Sequence, residues 1–270
     1  MSQKQLILHF DLNGTITNYD STEDSNISKM ANLILAKNAQ GKIIDNKWIL
    51  LDPPFEEKVD SISYYNYLKL VDSSTYKAQA FNFTCEGQPG QPLQKECQRI
   101  ELSGDVFAIF PSFINILKQY PEAKLVFRTF GNDRDLIVEQ LKTRHKYNHS
   151  FCYGEISHHN GNAILKIKNG FEYVGNRQIN DFINSCPNNI IIKEDYHHWN
   201  QNKKNKANGK RLVIDPSVDQ LIFDDNDCVV CQDLDGNIIE NCNKFIKINT
   251  IKAQLDEEFY IKHVESLLHL

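Results

Sequence analysis

Two kinds of apolar pattern alternate along the chain. In the first, a short unbroken run stops at a charged or hydroxyl residue: Leu6-Ile7-Leu8-His9-Phe10 before Asp11, Lys124-Leu125-Val126-Phe127 before Arg128-Thr129, and Leu221-Ile222-Phe223 before Asp224-Asp225, with Ile190-Ile191-Ile192 as a further run. Such runs predict strands buried on both faces, as in a parallel sheet covered by helices. Another strand is expected over residues 244–248. In the second pattern, apolar residues recur at helical spacing. Phe113, Ile114, Ile116, Leu117 and Tyr120 follow Pro111; Leu136, Ile137, Val138 and Leu141 mark a helix over residues 133–141; further helices are expected around residues 179–183 and over residues 251–268. Helices alternating with buried strands predict an α/β fold with a doubly wound, mostly parallel sheet.

Between residues 17 and 104 the texture changes. Asp24 and Ser25 are placed to cap a helix carrying Ile27, Met30, Leu33, Ile34 and Ala36 and ending near Gly41. Beyond it come a short strand over residues 48–51, the breaker Pro53-Pro54, an aromatic stretch with Tyr64, Tyr65 and Tyr67, and a Gly/Pro/Gln loop over residues 87–92. This block reads as an insertion into a core made of residues 1–16 and 105–270. Within the core, residues 150–190 hold hairpin-like segments around Asn169-Gly170 and read as a second, smaller insertion.

Composition narrows the function classes. The 270 residues are 41% hydrophobic, enough for a sizeable core, and the net charge of -5 supplies no broad basic field to hold nucleic acid or anionic lipid. The first apolar run is too short for an export signal and no stretch is long enough to span a bilayer. Seven cysteines in no regular framework suit a reducing compartment. The expectation is a cytoplasmic protein without a nucleic-acid or membrane partner.

Three strand ends deliver polar groups: Asp11-Leu12-Asn13-Gly14-Thr15, Thr129, and Asp224-Asp225. In an open α/β sheet, the C-terminal ends of neighbouring strands converge on one crevice, so these groups are expected to share a site. In this order they resemble the motifs of the haloacid dehalogenase (HAD) superfamily. Phe10-Asp11-Leu12-Asn13-Gly14-Thr15-Ile16-Thr17 is similar to its first motif, Val126-Phe127-Arg128-Thr129 to its second, and residues 221–225 to its fourth. For the third, a basic residue upstream of the fourth, Lys210 in Gly209-Lys210-Arg211 is preferred, with Lys193, Lys203 and Lys204 as competitors. The resemblance covers residues up to about Ile16 and from about Val106 onward, and residues 17–104 occupy the position of the family's caps.

The resemblance implies a Mg²⁺-dependent phosphatase or phosphotransferase acting on a small phosphorylated substrate. It makes Asp11 the nucleophile and implies Mg²⁺ held by Asp11, the Asn13 carbonyl, Asp224 and Asp225. Gly14, Thr15, Thr129, Gly131 and Lys210 would hold phosphoryl oxygens. The chemistry is coherent: a carboxylate attacking a phosphate needs a cation between the two anions, and further carboxylates to hold that cation. An aspartyl-phosphate then divides one hard displacement into two easier ones. The departure is Asn13, where the family's phosphatases carry an Asp that gives and takes a proton. An amide cannot do so, and general acid-base catalysis contributes roughly 10²–10⁴-fold. Three outcomes follow: slow hydrolysis, phosphotransfer to or from a group with a good leaving group, or a metal- and phospholigand-binding protein without turnover.

Other suggestive segments read more plainly. Asp233-Leu234-Asp235-Gly236 imitates the first motif, but Gln232 breaks the apolar lead-in and Asp-Gly between Val229-Val230 and Ile238-Ile239 predicts a hairpin turn. Cys228 and Cys231 form a lone CxxC, read as core cysteines. His145, His149, Cys152, His158 and His159 fit no zinc spacing and read as solvated or partly buried side chains. His197-His198-Trp199 is placed to line a substrate entrance, and the basic run Lys203-Lys204-Asn205-Lys206 reads as a solvated face.

Overall fold

A computed structural model describes residues 4–18, 26–101, 108–159 and 161–268. The expected caps Asp24 and Ser25, and the insertion boundary at residues 104–106, lie outside the described residues. The first strand, β1 (Leu6–Phe10), leads into helix α1 (Ile27–Asn38), whose N-cap is Asn26, its side chain accepting from the Lys29 amide. There follow β2 (Gln40–Ile44), β3 (Lys47–Leu50), β4 (Ile62–Ser63), α2 (Tyr64–Val71), α3 (Tyr76–Ala80) and α4 (Gln94–Glu101). The chain continues through α5 (Pro111–Gln119), β5 (Lys124–Thr129), α6 (Arg134–His145), β6 (Phe151–His159), β7 (Asn162–Ile167), β8 (Glu172–Val174), α7 (Gly175–Ser185) and β9 (Asn189–Lys193). It closes with α8 (Tyr196–Gln201), β10 (Lys210–Val213), β11 (Asp219–Asp224), β12 (Val229–Gln232), β13 (Phe245–Lys247), α9 (Thr250–Leu255) and α10 (Phe259–Leu268).

The fold is α/β with a mostly parallel central sheet. Among the described residues that sheet has eight strands in the order β13-β11-β1-β5-β9-β6-β7-β8; the first six run parallel and β7 and β8 add antiparallel strands at one edge. The stretch expected as a second insertion therefore contributes three strands to this sheet. From β1 the chain moves to β5 on one side and later returns through β11 on the other. Order reverses at β1, and the crevice beyond the strand ends opens at such a reversal.

Side chains alternate across the sheet, as strand geometry requires. Leu8, Phe10, Leu125, Phe127, Ile191, Leu221 and Phe223 meet α5, α6 and α10 in the largest core cluster, with Phe10 stacked on Phe223 at 4.9 Å between ring centroids. Ile7, Val126, Ile190 and Ile192 meet Ile179 and Ile183 of α7 on the opposite face. That face also buries His9, Arg128, Gln220 and Glu194, with Arg128 Nε donating to Glu194 Oε1 at 2.6 Å. Residues 26–101 close round a second cluster, with Leu33, Leu35, Trp48, Tyr64 and Phe83 in it, Ile251 of α9 joining them and the small antiparallel sheet β3-β2-β4 beside it.

The single helix expected over residues 251–268 is two helices. Asp256 adopts an extended conformation after α9, and its side chain and carbonyl then accept from the amides of Glu258 and Phe259 to begin α10. The break lets α9 bury Ile251 and Ala253 while α10 independently drives Tyr260 under Phe10 and Phe223. No helix among the described residues is long and apolar enough to cross a membrane.

Candidate active site

β1 is held on both sides, by β11 in register Phe10↔Phe223 and by β5 in register Phe10↔Phe127. Asp11, Asp224 and Thr129 therefore leave adjacent strand ends at one level. A carboxylate oxygen from each of Asp11, Asp224 and Asp225 lies within 4.8 Å of the others, and this is the cluster among the described residues able to hold a metal ion. Asp11 and Asp224 are buried and Asp225 is half-buried. The sequence order of the motifs is thus matched by convergence in space.

The loop after Asp11 turns within a few residues because Leu12 O accepts from the amides of Thr15, Ile16 and Thr17. Gly14 has φ +78, and a Cβ there would fall 2.5 Å from Asp225 Oδ2. Only glycine lets the two acidic loops approach this closely. The loop is tied down from behind: Thr250 Oγ1 donates to Gly14 O at 2.7 Å, the Tyr260 hydroxyl donates to Thr15 O, and the Asp225 amide donates to Thr15 Oγ1 at 3.2 Å. Thr15 itself is fully buried.

Lys210 enters from the two-stranded sheet β10-β12. Gly209 makes this entry possible, because a Cβ there would overlap the carbonyl of Cys228, to which the Lys210 amide donates at 2.8 Å. The Lys210 ammonium, only 1% exposed, donates to Asp11 Oδ1 at 2.7 Å and to Asp224 Oδ2 at 2.6 Å. Of the competitors, Lys193 donates to Asn132 Oδ1 and Lys203 and Lys204 are exposed.

One ammonium among three carboxylates leaves the cluster short of positive charge. Burial pushes the Asp11 carboxyl up to about 7 despite Lys210 beside it, and burial with the neighbouring Asp11 and Asp224 pushes Asp225 well above the usual carboxylate range. Burial pulls against the Lys210 charge, yet Asp11 and Asp224 more than offset it and its pKa is raised. A hard, divalent cation with a preference for oxygen would relieve the excess of negative charge.

On the β5 side, Thr129 Oγ1 accepts from the Gly131 amide at 2.9 Å, leaving its hydroxyl proton free to donate. Asn13 Nδ2 donates to Asp133 Oδ2 at 3.2 Å, which fixes the amide's orientation, while Asn13 Oδ1 is buried without a partner. Asp133 is itself buried. Its role at the site was not legible in the sequence, where it signalled only the start of α6. Arg128 was equally silent: its Nη1 donates to the carbonyl of Arg211 and its Nε to Glu194, whose amide donates to Thr129 O at 2.8 Å. This network braces Thr129 and Lys210 from behind. His158 pairs with Asp195 at 3.2 Å and stacks on His198, so the histidines do not gather around a second centre.

The strand ends open into a cleft of 1460 Å³ whose far wall is formed by α1 and residues 55–66. The cleft is lined by Asp11, Asn13, Gly14, Thr129, Gly131 and Asp225 on the sheet side and by Met30, Leu33, Ile34 and Phe55 opposite. Compared with protein-family models, with curated proteins and with solved structures, the chain matches none of them.

Proposed function

We propose that the chain is a HAD-like, Mg²⁺-dependent phosphatase or phosphotransferase that works through an aspartyl-phosphate on Asp11. The observation that carries this reading is the convergence, from four separate strands, of Asp11, Asp225 and Thr129 on the floor of one cleft with Asp224 and Lys210 buried directly against Asp11. Residues 26–101, forming its opposite wall, act as a cap-like region that encloses a small phosphorylated substrate and excludes water.

The donor set fits Mg²⁺: it is all oxygen, and carries more negative charge than Lys210 neutralises. Asp11, the Asn13 carbonyl, Asp224 and Asp225 would hold the ion, which supplies charge neutralisation between carboxylate and phosphate. Lys210 keeps Asp11 oriented and ionised for attack. The Thr129 hydroxyl donates to a phosphoryl oxygen as charge develops; the amides of Gly14 and Gly131 already donate to Thr17 O and Thr129 Oγ1 and shape the loops around it. Asp11 forms a bond to phosphorus as the bond to the leaving oxygen breaks. Water, or an acceptor hydroxyl, then releases the phosphoryl group from Asp11.

A second reading rests on Asn13. Held by Asp133, its amide offers no proton to a leaving group, which suits a protein that binds metal and phosphoryl ligand without turnover. One assay separates the two: phosphate release from a generic aryl phosphate with Mg²⁺, in the natural protein, Asp11→Asn and Asn13→Asp. Activity lost in Asp11→Asn supports the enzyme. Silence in the natural protein with activity only in Asn13→Asp supports the binding protein.

A further inference from the structure

Beside Thr129 stands a wall of aromatic side chains that the proposed chemistry does not use. Phe130, the residue after Thr129, lies flat against Trp199 with centroids 4.8 Å apart and rings 4° from parallel. Its ring also takes the Lys210 ammonium at 5.1 Å, so it touches the catalytic lysine directly. Tyr196 meets Phe130 edge-on at 5.9 Å, lines the same cleft as Asp11 and Thr129, and is 45% exposed. The first turn of α8, which carries Tyr196, is pinned by Asp195, whose two carboxylate oxygens accept from the amides of His198 and His158. The wall is held by contacts within the protein, and its exposed member lines the cleft onto which Asp11 and Thr129 open.

Asn13 constrains that leaving group independently. With no proton to give it, expulsion depends on how well the departing oxygen bears negative charge. Phenols, with pKa about 10, leave as anions far more readily than alkyl alcohols, which lie near water at about 16.

We propose that the cleft is built for aryl phosphate monoesters, with the substrate's ring packed on Tyr196, which Phe130 and Trp199 back, and its phosphoryl group over Asp11. This deepens the phosphotransfer reading and rests on it. In the first step Asp11 bonds to phosphorus while the phosphorus–aryl oxygen bond breaks, the electron pair leaving on the phenolate, which takes a proton from water. In the second, water attacks phosphorus, returning the Asp11 carboxylate and releasing inorganic phosphate. A free phenol and a tyrosine side chain in a peptide share this chemistry, the ring and its ester.

The test compares kcat/KM, with Mg²⁺, for phenyl phosphates of graded phenol acidity, propyl phosphate, acetyl phosphate and ATP. The natural protein is expected to favour phenyl over propyl phosphate by roughly 10²–10⁴-fold, the share a general acid would supply, with a steep dependence on phenol acidity that flattens in Asn13→Asp. Tyr196→Ala is expected to raise KM for phenyl phosphate by roughly 2- to 12-fold, the worth of an aromatic pair, with Tyr196→Phe restoring it and acetyl phosphate unaffected. Phosphotyrosine amide against a phosphotyrosine peptide distinguishes the free from the peptide source. Preference for propyl over phenyl phosphate, or equal loss on phenyl and acetyl phosphate in Tyr196→Ala, overturns the aryl assignment while leaving the phosphotransfer reading intact. Silence toward every phosphate overturns both.

Discussion

Asp-Leu-Asn-Gly at residues 11–14 and Asp-Leu-Asp-Gly at residues 233–236 share a pattern yet become different objects. Both glycines take a left-handed conformation, with φ +78 and +91. Asp11 ends a strand paired on both sides inside the eight-stranded sheet, so its carboxylate is buried among other charges and its pKa rises to about 7. Asp233 ends β12, which pairs on one side with β10 and then turns back, Ile239 N donating to Cys231 O at 2.9 Å. Its carboxylate is spent locally, accepting from the amides of Asp235 and Asn237 and from the Asn237 side chain, and those hydrogen bonds hold its pKa low. Strand position, more than the four letters, decides whether an aspartate can hold a metal or merely closes a turn.

The largest test of this contrast is activity. Asp11→Asn is expected to lower Mg²⁺-dependent phosphate release by roughly 10⁴-fold or more, the scale of losing a nucleophile, while Asp233→Asn leaves the rate unchanged. Next comes stability. Lys210→Met strands Asp11 and Asp224 as buried anions without a counter-charge, which should cost about 3–5 kcal/mol in urea unfolding. Removing Arg177, whose exposed ion pair with Asp235 is the counterpart in the other loop, should cost about 0–1 kcal/mol.

The glycines give a smaller difference. Gly14→Ala must displace Asp225 as well as strain the backbone, so Mg²⁺ affinity should fall along with stability. Gly236→Ala meets no atom nearer than 3.7 Å and should cost only the backbone term of about 1–2 kcal/mol, with metal binding intact. The smallest effect is in pH. Asp11 is raised in the fold from 3.8 to about 7, so the folded state retains a proton the unfolded chain has lost. The stability this gives is complete below about pH 4 and is lost as pH rises through about 7. Mg²⁺ replaces that proton, so it should raise Tm more at about pH 8 than at about pH 5.

What could be read from the chain divides along physical lines. The buried strands were legible because burial on both faces demands unbroken apolar runs, and Asp11, Thr129 and Asp224 were legible because each stands where such a run stops. Lys210 was ambiguous among several lysines, although Gly209 before it and the strand pattern Arg211-Leu212-Val213 after it carried a signal. β6 gave little, since at the sheet's thinner side its residues are only partly buried. The break at Asp256 and the hold of Asp133 on Asn13 depend on contacts between distant residues, which no local pattern encodes. The small sheet of residues 40–63 was half visible, as its short strands owe their pairing to Trp48 lying across Gly41.

Helix α9 has a consequence beyond packing. Within four residues it anchors the Gly14 carbonyl through Thr250, fills the cluster of residues 26–101 with Ile251, and takes the Ser112 hydroxyl on the carbonyl of Ala253. One short helix therefore touches the cluster of residues 26–101, helix α5 and the loop after β1. Excising residues 26–101 would bare Ile251, one residue from the Thr250 that anchors the turn after Asp11, so those residues support that turn as well as wall the cleft.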